Sequence, residues 1–464
     1  MNAGVRRDRV ALVLGSLACA AAYHFAYCVF LVPFFEYYNY TYFAHSLAAL
    51  AVAYAIAAAP SLVMPVRLTR PTQMLYWLLY LMVYIPSVLT PLFISVRLTA
   101  QIWLLLAVLA AGFTGMGLVY RAPLLRLPSV HLAQRFFGWF FGILLVSGLV
   151  IAWRTYAGHL QLVNFFLGST EVNQQRLATR DIGASAGVLQ YLLDAVACAI
   201  DPMLMSYGLM ARKRGAFAVG AAGQVLLYAT AGMKSIILSV PLTVVLFLLM
   251  RRRSRGLPAA LVWGTAGALL VSTAIGVWGG LIGFGVGSLV ILRTFGTPGL
   301  LTAYYADFFA THPLTLGSHI RGLSALMQYP YHATLPYVIG LHYWNNVDLS
   351  ANANFWAQDG LAGFGFPGVL LLSGLAALLF WLIDSACARL SPRFAALALA
   401  FQAVNLGNGS LFTILLTNGL ALQILMLYLW PGGSWLADTD AVDAAGAGLG
   451  GPQAGGVALA AGPS

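Results

Sequence analysis

Residues 351–383 read ANANFWAQDGLAGFGFPGVLLLSGLAALLFWLI. From about residue 362 the stretch is a run of apolar side chains long enough to cross a bilayer, which takes about 20 residues as a helix. Its first half sets Asn352, Asn354, Gln358 and Asp359 at the mouth of that run, among small residues. Unsatisfied polar groups at that depth are costly, so the stretch marks the edge of a site.

Similar apolar runs fill the rest of the chain. Against the ~20-residue span they predict about twelve helices. These lie near residues 10–32, 42–64, 73–93, 99–119, 136–153, 184–209, 215–232, 235–250, 258–280, 362–383, 394–408 and 411–430. Of the 464 residues, 61% are hydrophobic and only 8% are charged, where a soluble domain has about 25% charged. The fold class expected is an all-α, polytopic integral membrane protein. Arg6, Arg7 and Arg9 precede the first run in the manner of a secretion signal. That run continues without a small-residue cleavage site, so a retained first span is expected. The net charge of +11 is a topology and lipid-contact signal beside apolar spans and gives no reason to expect nucleic acid. Cys19, Cys28, Cys198 and Cys387 lie in or beside apolar runs without metal-ligand spacing, which suggests neither a disulfide frame nor a zinc site.

Arg and Lys set the orientation. With the N-terminus inside, seventeen of the 24 basic residues fall on inner segments, which places both termini inside. One membrane domain, residues 1–430, then carries two long outer segments, 154–183 and 281–361, and a tail, 431–464, whose Gly, Ala, Pro and Asp composition reads as disordered. Long outer segments of this kind are where function is expected. Asp438 and Asp440 have the spacing of a metal-binding pair, but in that tail they read as solvated charge.

Walker, His-Glu-x-x-His and Cys-x-x-Cys patterns are all missing from the sequence, which argues against an ATPase and a metalloprotease. The first outer segment holds Glu171, Asn173, Arg176 and Arg180. On a helix, Asn173, Arg176 and Arg180 share a face, and paired guanidiniums suit either a diphosphate or lipid headgroups. Lys234 stands alone at an outer helix turn, where it completes an anion pocket or snorkels to the interface. The second outer segment holds Arg293, His312, His319, Arg321 and many aromatics. Most of those aromatics fit an interfacial belt. Asp194 and Asp201 lie seven residues apart and are expected on one helix face, as functional candidates or as structural groups. His24 and His45 read as hydrogen-bonded core residues.

The order of these features resembles a family. A basic outer segment with Arg176 and Arg180 is followed by Gly232-Met233-Lys234 at a turn. A long outer segment then leads into Asn352-Ala-Asn-Phe-Trp-Ala-Gln-Asp359-Gly360 and Gly363 entering a span. This is similar to the Wzy-type O-antigen and exopolysaccharide repeat-unit polymerases. The resemblance implies a glycosyltransferase of the bacterial inner membrane with a periplasmic active site and cytoplasmic termini. It would move a glycan from undecaprenyl diphosphate to an incoming lipid-linked repeat unit. It implies no nucleotide, metal or other cofactor, and as partners the lipid-linked oligosaccharide, membrane lipids and a chain-length regulator protein. Arg176 and Arg180 are carried over as the diphosphate grip, with Lys234, Arg293 and Arg321 beside them and Asn352 and Asn354 facing substrate. Asp359, His319 and Glu171 are the candidate bases, in that order. An O-antigen ligase using His312 or His319, and a flippase or transporter coupled through Asp194 and Asp201, are the alternatives.

Overall fold

The computed structural model describes residues 3–128, 130, 132–156, 188–231, 234–252, 256–320 and 327–431. Most of them are helical, with no extended strand among the described residues. In chain order the helices are α1 (Gly4–Phe34), α2 (Leu47–Leu62), α3 (Thr72–Ile94), α4 (Ala100–Arg121), α5 (Gln134–Tyr156) and α6 (Leu189–Met210). Next come α7 (Arg214–Ala231), α8 (Lys234–Arg252), α9 (Leu257–Trp278), α10 (Gly280–Phe308) and α11 (Leu335–Trp344). The chain ends in α12 (Trp356–Ala386), α13 (Pro392–Leu399), α14 (Phe401–Leu406), α15 (Leu411–Leu416) and α16 (Leu420–Tyr428). Eight of them, α1, α3, α4, α5, α6, α9, α10 and α12, are long and apolar enough to cross a membrane.

Two expectations change. Residues 280–308, expected as the start of a long outer segment, form the helix α10. Arg293 and several glycines dilute its apolar character, yet those glycines make its packing. A side-chain carbon on Gly287 or on Gly276 of α9 would run into the Phe30 ring, so the glycines let α9 and α10 close around it. The expected spans 394–408 and 411–430 are broken into the four short helices α13 to α16. Gly419, at φ 72°, makes one of those breaks in a conformation that suits glycine.

Prolines shape the long helices in a common way. Wide π-helical turns at Tyr27–Leu31, Tyr80–Tyr84, Val196–Ile200 and Ser288–Gly296 each end two residues before a proline: Pro33, Pro86, Pro202 and Pro298. Proline has no N–H, and its ring collides with the carbonyl four residues back. Just before each proline, the N–H instead reaches five residues back: Val32 to Tyr27, Ile85 to Tyr80, Asp201 to Val196 and Thr297 to Leu292. Widening the turn makes room for the ring, and neighbouring helices can satisfy the freed carbonyls. In α6 this is direct: Cys198 O, which Pro202 cannot serve, accepts from Gln402 Nε2 at 3.0 Å.

Long-range hydrogen bonds define one end of the bundle. Arg9 donates to Ser61 O at 2.8 Å, Arg70 to Ala122 O at 2.6 Å and Trp381 Nε1 to Pro123 O at 2.8 Å. Asp384, at the end of α12, accepts from Thr72 N at 2.9 Å and Thr72 Oγ1 at 2.8 Å, a carboxylate placed on the N-terminus of α3. This end holds basic segments. At the opposite end Phe43 N donates to Phe93 O at 2.8 Å and Asn39 Nδ2 to Tyr343 O at 3.2 Å. Between α1 and α2 runs an outward-facing apolar groove of about 600 Å³, lined by Val13, Leu17, Leu50, Tyr54 and Ala55. The chain is a multi-pass α-helical membrane protein.

Candidate functional site

The stretch 351–368 does not run straight into its span. It descends into the bundle, climbs as the first arm of α12, reverses at Phe364 and Gly365, and returns as the long second arm. Phe364 has φ −139° and ψ 16°, and Gly365 has φ 65° and ψ −148°; the latter region is essentially open to glycine alone. Trp356 Nε1, at the foot of the first arm, donates to Ser373 Oγ at 2.9 Å on the second. Ser373 lies eleven residues from Asp384, ~16 Å at helical rise, so the first arm starts well inside the bundle. Gly360 and Gly368 let the arms touch backbone to backbone, since a side-chain carbon on Gly368 would collide with Gly360 O.

Each polar group of the stretch has a distinct place. Asn354 is buried and caps the first arm: its Oδ1 accepts from Trp356 N at 3.1 Å and Ala357 N at 3.2 Å. Its Nδ2 donates to Thr302 Oγ1 of α10 at 2.7 Å. Asn352 is exposed and donates to Ser350 Oγ at 3.1 Å. Gln358 keeps a buried Oε1 without a hydrogen-bond partner among the described residues.

Asp359 is 1% exposed. Its Oδ2 accepts from Leu411 N at 2.6 Å, the first residue of α15, while its Oδ1 lies 3.2 Å from His319 Nε2. On the other side of that ring, Nδ1 lies 2.8 Å from Thr315 Oγ1. Backbone bonds dock the segment that carries both, with Thr315 N donating to Ala362 O at 2.8 Å and Leu316 N to Gly363 O at 3.1 Å. Thr315 Oγ1 also stands 3.0 Å from Ala362 O.

Hydrogen counting defines two protonation states. Asp359 accepts at both oxygens, so Nε2 carries a hydrogen. When the Thr315 hydroxyl points at Nδ1, the imidazole is neutral. When it turns to Ala362 O, Nδ1 must donate to Thr315 Oγ1 and the ring is an imidazolium. One proton and one hydroxyl rotation separate the two, with no heavy atom displaced. His319 can therefore take up a proton while Asp359 holds the ring's orientation and offsets its charge.

Around the pair an aromatic layer holds the opposite end together. Phe308 stacks on His312 at 3.8 Å, and Tyr304 on Tyr343 at 4.0 Å. Tyr343 OH donates to Asp307 Oδ2 at 2.6 Å. Burial, and then the Asp307 carboxylate, push the Tyr343 hydroxyl well up; burial pushes Tyr329 up to about 12. Both stay protonated and act as hydrogen-bond donors. His24 sits between Tyr54 OH at 3.0 Å and Tyr42 OH at 3.1 Å, and His45 lies 3.0 Å from Leu92 O.

Of the candidates read from sequence, the fold brings Asp359 and His319 together across 40 residues. Arg293 is exposed on the wide turn of α10, within electrostatic reach of Tyr37 and Tyr40. Lys234 begins α8. Glu171, Arg176, Arg180 and Arg321 lie outside the described residues. Asp194 and Asp201 do not share surroundings as the seven-residue spacing suggests. The wide turn between them breaks the helical period, so Asp194 accepts from Gln190 Nε2 at 3.0 Å while Asp201 packs on Gly223 of α7. Thr315 and the Leu411 N–H, which complete the site, do not stand out in the sequence. Thr315 carries a weak signal, four residues before His319; a backbone N–H carries none. No family model matches the chain, and neither does any curated protein or solved structure.

Proposed function

We propose that the chain is a glycosyltransferase of the bacterial inner membrane. It moves a growing glycan from undecaprenyl diphosphate onto a lipid-linked repeat unit. In this reading about twelve helices cross the membrane, both termini are cytoplasmic, and the end opposite the basic segments faces the periplasm. The observation that carries it is the His319–Asp359 pair, placed beside the re-entrant arm and able to accept one proton. The acceptor hydroxyl attacks the anomeric carbon, the bond to the diphosphate oxygen breaks, and the hydroxyl proton passes to Thr315 Oγ1 as Thr315 hands its own proton to His319 Nδ1. Asp359 orients the ring, which makes His319 the base ahead of Asp359 and Glu171. Arg176 and Arg180 meet the charge of the departing diphosphate, aided by Lys234, Arg293 and Arg321. The exposed Asn352 is a polar contact for a sugar near that edge.

Reconstitution with a lipid-linked repeat unit tests the reading: long glycans on the carrier support it and exclude both rivals. Transfer only to a lipid A-core acceptor would make the chain a ligase. A transporter is the second reading, favoured by the re-entrant arm and by the breaks between α13 and α16, since irregular backbone inside a bundle often lines a transport site. It is supported instead if the oligosaccharide crosses the bilayer without growing.

A further inference from the structure

Asp201 is fully buried in α6, and neither of its carboxylate oxygens has a hydrogen-bond partner among the described residues. Met210 ends α6 nine residues on, so Asp201 lies ~14 Å from that end at helical rise. Its carboxyl faces Gly223 of α7, where a side-chain carbon would run into both oxygens; Gly220, one turn away, packs against Asp201 O and Met205. Gln224, next to Gly223, is also fully buried. Its Nε2 donates to Ala197 O, freed by the wide turn of α6, at 2.7 Å, and its Oε1 has no partner among the described residues. Among the described residues the seam between α6 and α7 thus holds three unmet acceptor oxygens and no donor for them.

Among the described residues no cation is placed to answer them. The elements packed on this part of α6 are α7, α8 and α13, with α5, α14 and α16 on the wide turn just before Asp201. Their basic residues, Arg135, Arg154, Arg214, Lys234, Arg251, Arg252 and Arg393, lie in the terminal turns of those helices. Arg214 is nine residues from Gly223, ~14 Å along the axis. On α6 itself the other carboxyl, Asp194, is already met by Gln190. Tyr228 of α7 stands a turn from Gln224, and Tyr207 lies nearer the basic end. A carboxylate without a partner is far less stable here than a carboxylic acid.

We propose that Asp201 is a proton-binding site: a carboxylic acid kept neutral in the α6–α7 seam, which releases its proton only when that seam opens to water. The proposal is independent of the glycosyltransferase reading. It makes any movement between α6 and α7 a proton-linked step.

Infrared spectra of the full chain in lipid nanodiscs test it. At neutral pH the wild type should show a protonated-carboxyl C=O band that Asp201→Asn lacks and Asp194→Asn keeps. Gly223→Ala, which forces the seam apart while leaving the carboxyl in place, should move the loss of that band down by roughly one pH unit or more. Should Asp201→Asn not fold, the pH titration of aspartate-labelled wild type against Gly223→Ala decides alone. An unchanged acid band in a folded Asp201→Asn overturns the proposal, as does a titration that Gly223→Ala leaves unmoved. A band that disappears on adding Na⁺ at constant pH also overturns it, in favour of a metal-cation site.

Discussion

Replacing Asp359 by alanine and by asparagine should have sharply different effects. Alanine strips the partner from Leu411 N and from His319 Nε2, which lie 2.6 Å and 3.2 Å from the carboxylate. Hydrogen bonds to a charged group contribute about 1.5–3 kcal/mol each, so Asp359→Ala should cost about 3 kcal/mol or more. Asparagine can be absorbed. Its Oδ1 accepts from Leu411 N, and its Nδ2 donates to a now unprotonated His319 Nε2. His319 Nδ1–H then donates to Thr315 Oγ1, and the Thr315 hydroxyl donates to Ala362 O. Every group keeps a partner, and the loss should stay within about 1 kcal/mol, the contribution of a typical neutral hydrogen bond. The imidazole, however, is locked with its hydrogen on Nδ1 and cannot accept a proton there. Thermal unfolding in detergent should rank wild type and Asp359→Asn close together, with Asp359→Ala well below. Chain extension on a lipid-linked repeat unit should be lost in both, by several orders of magnitude for Asp359→Asn if the wrong tautomer acts as it does in hydrolase triads. Equal unfolding temperatures for alanine and wild type would refute the pairing. Full chain extension by Asp359→Asn would refute the role of His319.

Gly368→Ala should disrupt the re-entrant arm, because its side-chain carbon would collide with Gly360 O; aggregation on size exclusion, or new protease cleavage between residues 351 and 368, checks this. Gln402→Ala should lose about 1–3 kcal/mol for each acceptor it orphans, Cys198 O and Gln423 Oε1. The same change should matter less in a Pro202→Ala background, where residue 202 supplies its own N–H, and a double-mutant cycle on unfolding temperature reads that coupling. Arg176→Ala or Arg180→Ala should abolish chain extension while membrane levels of the protein stay unchanged; unaltered banding of the glycan on a gel in both would end the diphosphate-grip reading.

The sequence by itself determined the solvent of this protein and most of its helices. Hydropathy is a local property, and about 20 apolar residues in a row leave the backbone no alternative to a helix in lipid. It also singled out Asp359 and His319 one at a time, because polar groups beside a span stand out against their surroundings. Their pairing was not legible, since it depends on a backbone reversal at Phe364 and Gly365 and on docking of the Thr315 segment, 47 residues from its partner Ala362. The helical state of residues 280–308 was hidden for a similar reason. Its glycines look like breakers in sequence and become contact surfaces only once Phe30 is there to fill the space they leave. Asp194 and Asp201 share a face in an ideal helix, and the wide turn before Pro202 breaks that period between them. Local composition chose the elements; contacts between residues far apart in the chain decided which polar groups meet, because a partner's position is a property of the packed bundle.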